Sequence, residues 1–269
     1  MYASTVRNLL VRGMLAGLIA GLFAFAVAYT LGEPSVDGSI AVEEAAAAKE
    51  AAHHADHGGA AAEPAEEEEE LVSRAVQSTV GLGTGVLVYG VALGGIASLA
   101  FCFLLGRVGR FTPRATAALT AAAAFTTVYL VPFLKYPATP PAVGNPDTIG
   151  KRTTLFFLMI LLSVLLGVAA TIAGRRLAPR LGNWNATLVA GAGFIAAVTL
   201  AFVFLPGNED AVAEGFPAKL LWDFRVAALA VQATLWAAFA IAFGFMAQRL
   251  LAPREAGSPA AAEATPALG

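Results

Sequence analysis

Six apolar stretches, each long enough to cross the hydrocarbon core of a bilayer, constrain this chain more than any other feature: residues 13–31, 80–105, 115–134, 154–173, 186–205 and 226–247. None of them contains Asp, Glu, Lys, Arg or His. A spanning helix needs about 20 mainly apolar residues. Lipid offers no hydrogen bonds, so the backbone of such a run must satisfy itself, which for this length means helix. The expected fold class is all-α: a polytopic integral membrane helical bundle with six transmembrane helices. Hydrophobic residues make up 58% of the chain and charged residues 13%. Soluble domains carry about 25% charged residues, so this composition lies outside their range. The net charge of −2 points to no nucleic-acid partner. Cys102 is the one cysteine, which rules out a disulfide within the chain.

Basic residues set the orientation, because short loops rich in Lys and Arg stay in the cytoplasm. Arg7 and Arg12 precede the first span. Arg107, Arg110 and Arg114 separate the second from the third, and Arg175, Arg176 and Arg180 the fourth from the fifth. Arg249 and Arg254 follow the sixth. With alternating spans these ten arginines fall on one side, and both termini are expected to be cytoplasmic. The other side receives Lys49, Arg74, Lys135, Lys151, Arg152, Lys219 and Arg225, with most of the carboxylates. Arg7, Arg12 and Ala26-Val27-Ala28 also fit the plan of a cleavable signal peptide, although the apolar run is long enough to stay as a span.

The chain divides into an N-terminal segment with the first span (1–35), an exported loop (36–75), a five-helix region (76–250) and a disordered cytoplasmic tail (251–269). The loop is rich in Ala, Glu and His and includes the acidic run Glu66 to Glu70. Such a composition cannot bury a core, so a solvated, partly helical excursion is expected. Similar basic phrases end the even-numbered spans: Gly106-Arg107 to Pro113-Arg114, Gly174-Arg175 to Pro179-Arg180, and Gln248-Arg249 to Pro253-Arg254. Three two-helix hairpin repeats would produce this pattern, and so would ordinary helix-ending punctuation. Gly13, Gly17 and Gly21, and likewise Gly90 and Gly94, recur every four residues, a spacing that lets helix backbones approach closely. Packing within the chain or against a partner would both use it.

No enzyme constellation is present, and the chain reads as a non-enzyme with no permanently bound cofactor. Gly144 to Thr153 has one residue too many for a phosphate loop and lacks the hydroxyl after its lysine. The three histidines fall within five positions. On a helix, Glu50, His53, His54 and His57 share a face, and imidazole suits Co, Ni, Cu or Zn, so these four are the candidate metal-capturing residues. A solvated linker would carry them equally well. Spans without ionisable residues lack the usual marks of an ion path. Within the spans a bare dication would meet only backbone carbonyls, Gln232, Tyr89, Tyr129, Cys102 or a methionine such as Met159; the alternative is a site at the outer mouth, with Glu33, Tyr136, Asp147 and Asp223 as candidates. Each also suits interfacial anchoring. Proline cannot continue a helix, so Tyr136-Pro137-Ala138-Thr139-Pro140-Pro141 forms a shaped outer loop.

Four phrases carry a family resemblance. They are LLVRGMLAGLIAGLFAFAVAYTLGEP at 9–34, EEELVSRAVQSTVGLGTGVLVYGVALGG at 68–95, YLVPFLKYPATPPAVGNPDTIGKRT at 129–153 and EGFPAKLLWDFR at 214–225. With them the whole chain resembles the CbtA family of proposed cobalt transporter subunits in bacterial membranes. The resemblance implies cobalt uptake across the bacterial inner membrane for cobalamin supply, with cobalt as the substrate. It also implies a small partner subunit, CbtB, with a His-bearing tail, and it supplies no ligand set. Two other readings stay open: a membrane scaffold that captures metal for a partner, and a transporter of another small solute.

Overall fold

A computed structural model describes residues 3–56, 72–141, 143, 148–207, 212 and 215–252. Every regular element among them is helical. The first helix, α1 (Ala3–Val27), runs through a π-helical turn (Ala28–Gly32) into α2 (Glu33–Asp56) without a break. The short α3 (Arg74–Val76) leads through a second π turn (Gln77–Gly81) into α4 (Leu82–Leu104). Next, α5 (Pro113–Ala124) continues through a third π segment (Phe125–Leu130) into α6 (Val131–Lys135). Two long helices follow, α7 (Ile149–Phe204) and α8 (Ala218–Leu251). Among the described residues, five continuous helical stretches are long and apolar enough to cross a membrane: Ala3–Lys49, Arg74–Leu104, Pro113–Lys135, Ile149–Phe204 and Ala218–Leu251.

The fourth and fifth apolar stretches of the sequence both fall inside α7. A straight helix of 56 residues would extend roughly 84 Å, nearly three times the bilayer core. The chain instead reverses at Gly182, whose φ of 74° and ψ of 160° belong to a region open essentially to glycine alone. Pro179, three residues earlier, removes a backbone donor just where the direction changes. The two limbs then lie side by side. A Cβ placed on Gly174 would sit 3.2 Å from the Ala190 Cβ, and Met159 packs against Val198 and Ala201. The apolar stretch 154–173 thus occupies one limb of a helical hairpin, and 186–205 the other.

Small residues hold the main bundle together. A Cβ on Gly17 would come within 2.1 Å of the Gly90 carbonyl oxygen, and one on Gly94 within 2.3 Å of that of Gly13. The glycine spacing therefore serves packing between α1 and α4. Around this seam, α5 and α8 close a core of Leu9, Ala16, Ala20, Ala97, Ala117, Phe239 and Phe243. Phe101 meets Phe243 edge-on at 5.1 Å, and Phe239 stacks on Phe243 at 5.2 Å. The α7 hairpin packs against the π segment after α5 and against α6, where Val131 and Tyr136 join Met159 and Val198. The main pairings are therefore α1 with α4 and with α8, α5 with α8, and the two limbs of α7.

These pairings bring Arg7, Arg12, Arg107, Arg110, Arg114, the turn of α7 and Arg249 to one end of the molecule. Arg12 Nη1 donates to the Met246 carbonyl at 2.7 Å there, and the Arg114 amide donates to Gln248 Oε1 at 3.3 Å. At that end Thr112 caps α5, its hydroxyl accepting from the Ala115 amide at 3.2 Å ahead of Pro113 at the first turn. The opposite end carries α2, α6, the proline-rich loop and the start of α8.

Candidate functional site: a cavity between α6 and α7

Proline order builds the opposite end. Pro132 sits in the first turn of α6, and the helix stops at Tyr136, which leaves helical geometry at φ −128° and ψ 76°. Pro137, Pro140 and Pro141 then keep the chain out of helix, with a turn at Pro141. The Tyr136 ring is buried, and its hydroxyl donates to the Pro206 carbonyl at 2.8 Å, tying the loop to the end of α7. Burial pushes this phenol above its ordinary value, so it remains a neutral donor at physiological pH. Lys135 Nζ donates to the Phe202 carbonyl at 2.7 Å, and Arg225 Nε to the Ala138 carbonyl at 3.3 Å. From α2, Ser39 Oγ donates to the Pro141 carbonyl at 2.5 Å. Three other elements, α2, α7 and α8, are thus stitched to α6 and its loop by donors that take backbone carbonyls.

Between the loop, α6 and the first turns of α7 lies a cavity of about 440 Å³. Tyr129, Phe133, Tyr136, Phe156 and Phe157 make its aromatic walls, with Arg152 and Thr153 at the start of α7. Tyr129 stacks between Phe125, at 6.1 Å, and Phe133, at 5.5 Å. It stands on the third π segment, where the wider turn breaks the ordinary helical register, a feature frequent at functional sites. Ser163, fully buried on α7, donates to the Thr127 carbonyl of that segment and to the Ile160 carbonyl at 2.9 Å. Deeper in the bundle, the Tyr89 side chain approaches Gln232, and Tyr129 lies within electrostatic range of Tyr89. Gln232 Oε1 is buried without a hydrogen-bond partner.

The outer-mouth candidates separate by role. Tyr136 lines the cavity. Glu33 pairs with Arg74, which also reaches Asp37 at 2.8 Å, so Glu33 ties the base of α2 to α3. Asp223 pairs with Lys219 one turn earlier on α8, at 2.5 Å. Asp147 lies outside the described residues, as does His57. Glu50, His53 and His54 belong to α2, and His53 is exposed there. Among the described residues no three metal-ligating side chains converge. Arg152, Phe156 and Phe157 were not among the residues marked by sequence, although a cation one turn before an aromatic pair at the head of a span was a readable signal.

The family described as "Probable cobalt transporter subunit (CbtA)" matches residues 6–248. The chain belongs to the CbtA family. The match runs from the start of α1 almost to the end of α8, so it takes in the bundle, the α7 hairpin and the cavity together. The CbtA description is that of a transporter subunit and not of an enzyme. It makes cobalt the substrate to test at the cavity. No curated protein and no solved structure matches the sequence.

Proposed function

We propose that this chain is the membrane-spanning subunit of a cobalt importer in the bacterial inner membrane, supplying cobalt for cobalamin synthesis. It crosses the membrane six times with both termini in the cytoplasm, and a small subunit resembling CbtB is its partner. The family match over residues 6–248 carries this reading. Two features support it. The reversal at Gly182 is what two crossings by α7 would require, and the arginines gathered at one end fit the cytoplasmic side. The cavity opens at the other end, where substrate would arrive. Metal capture by Glu50, His53, His54 and His57 belongs to the same reading. The first three lie on a helix that continues directly from α1 and carries them outward from the mouth.

Topology has a direct test. Reporter fusions after Asp147 and Glu209 should report export, and fusions after Arg110 and Arg180 should report cytoplasm. Export at Arg180 would mean that neither limb of α7 crosses, and a cytoplasmic signal at Asp147 would overturn the whole orientation. Transport is tested by radiolabelled cobalt uptake into vesicles holding this chain alone or with its partner. Absence of uptake in both would sink the importer reading in favour of a scaffold. Replacing His53, His54 and His57 by Ala should cut uptake several-fold at scarce cobalt and leave it unchanged at saturating cobalt. Equal uptake at every concentration would reduce the cluster to a linker.

A further inference from the structure

We infer that Tyr89, Tyr129 and Gln232 form a station inside the membrane for the transported divalent cation, reached from the cavity and built from neutral oxygens. The inference rests on the importer reading and places a binding site on its path. The three residues come from α4, from the π segment after α5 and from α8. Depth is counted from the cavity end of the apolar stretches 80–105, 115–134 and 226–247. On that count Tyr89, Tyr129 and Gln232 lie roughly 14, 8 and 9 Å inside, at about 1.5 Å per residue, so they share one layer of the bundle. They also connect in order. Tyr129 lines the cavity, Tyr89 lies within its electrostatic range, and the Tyr89 side chain approaches Gln232.

Gln232 breaks the pattern set by the buried polar side chains of the spans. Ser98 donates to the Gly95 carbonyl at 2.7 Å, Thr120 to that of Thr116 at 2.8 Å and Ser163 to that of Ile160 at 2.9 Å, so their own helices satisfy them. Gln232 Oε1 is buried and has no such partner. Lipid supplies no donor, and a buried acceptor left unmet is costly, so an apolar side chain of similar size would make the more stable protein. A ligand that meets this oxygen accounts for the amide. Its charge follows from the groups around it. An amide oxygen and two phenol oxygens present lone pairs, and the three stretches hold neither Lys or Arg to repel a dication nor a carboxylate to trap it. A site on a transport path must release what it binds, which neutral oxygens allow. Three oxygens fill about half of the roughly six positions around an octahedral divalent ion, so the ion keeps waters there.

The test uses the full chain carrying His53→Ala, His54→Ala and His57→Ala, so that cobalt(II) chloride reads the membrane site and not the exported histidines. In lipid nanodiscs at about pH 8, Gln232→Glu should bind cobalt(II) at least tenfold tighter than this parent. Adding Tyr129→Phe should remove at least threefold of that gain, because the two side chains serve one ion. In vesicles at saturating cobalt, Gln232→Leu and Tyr89→Phe should each cut radiolabelled uptake per inserted molecule at least fivefold. Thr126→Val should keep it, since that hydroxyl of the same π segment donates to the Ala122 carbonyl at 2.8 Å. The thermal midpoint of Gln232→Leu should equal or exceed the parent's, the reverse of what loss of a structural amide gives. Parental uptake in both Gln232→Leu and Tyr89→Phe would overturn the inference, and so would Gln232→Glu binding no tighter than the parent. The two readings fail separately. Uptake by the parent that both variants leave untouched sinks the station and spares the importer. A Tyr129-dependent gain in Gln232→Glu, with no uptake by the parent or by wild type, does the reverse.

Discussion

Gly17→Val should leave almost no folded protein in the membrane. The added Cβ would meet the Gly90 carbonyl oxygen at 2.1 Å and the Gly90 carbonyl carbon at 2.8 Å. Backbone atoms cannot swing aside as a long side chain can, so α1 and α4 would have to separate by about 1 Å or more. Helix association in lipid lacks the hydrophobic drive available in water and depends on close packing. Separation therefore loosens the whole seam and not one contact. Overpacking a dense core costs about 1–3 kcal/mol and occasionally more. A loss of roughly 1.4 kcal/mol lowers the folded-to-unfolded ratio tenfold, and a marginal membrane bundle has few such factors to spare. Gly94→Val should behave alike, since its Cβ would meet the Gly13 carbonyl oxygen at 2.3 Å. Gly85→Ala and Gly191→Ala are the controls, because nothing lies within 4 Å of a Cβ at either site. Alanine exceeds glycine in helix propensity by about 1 kcal/mol, so these variants should match or exceed wild type. Monodisperse yield in size-exclusion chromatography of fluorescent fusions measures all four. Equal yields for Gly17→Val and Gly191→Ala would show that the seam is not packed as described.

The second large effect is expected at Gly182. Valine there would face a φ of 74° with ψ near 160°, which a β-branched residue does not tolerate. The two limbs of α7 should then lose their antiparallel register. Cysteines at Gly174 and Ala190, in a Cys102→Ala background, read this out. Their Cβ separation of 3.2 Å is close to the 3.5–4.5 Å of natural disulfides. Oxidation should cross-link the pair readily when residue 182 is glycine and at least ten times more slowly in Gly182→Val. Identical rates would remove Gly182 as the cause of the reversal.

Much of the architecture could be read from residue type alone, because lipid imposes a single rule on every span. The apolar stretches around Gly94, Ala121, Met159, Val198 and Phe239 all appear as helix at the expected positions. The glycine spacing was equally visible, although pattern cannot say which helix fills the gap. The continuity of α7 was hidden. Pro179 and Gly182 read as an ordinary loop between two spans, and only the backbone angles show helix running up to and away from one reversed residue. The site was less legible than the fold. Tyr136 stood out through its prolines. Glu33 and Asp223 looked equally available, and ion pairs formed by chain reversal and by a neighbouring turn consumed them. Arg152 was obscured because its basic neighbours suggested a phosphate loop of the wrong length, while Tyr129, which lines the same cavity, comes from another helix.

The pairing of α5 with α8 also has a consequence for how the chain is made. A Cβ on Gly244 would lie 3.6 Å from the Ala117 Cβ, so the two helices touch closely, yet roughly 90 residues separate them in sequence. At about 5–20 residues per second, α5 leaves the ribosome roughly 5–20 s before its neighbour exists. During that interval the part of its face that α8 finally covers still lacks that cover, although α4 is already made, and Thr116 and Thr120 are among its buried residues. Both hydroxyls are already satisfied at home: Thr116 donates to the Thr112 carbonyl at 3.0 Å and Thr120 to the Thr116 carbonyl at 2.8 Å. A nascent α5 can therefore wait in the bilayer without a partner for its polar groups, and α8 completes the bundle by shape when translation delivers it.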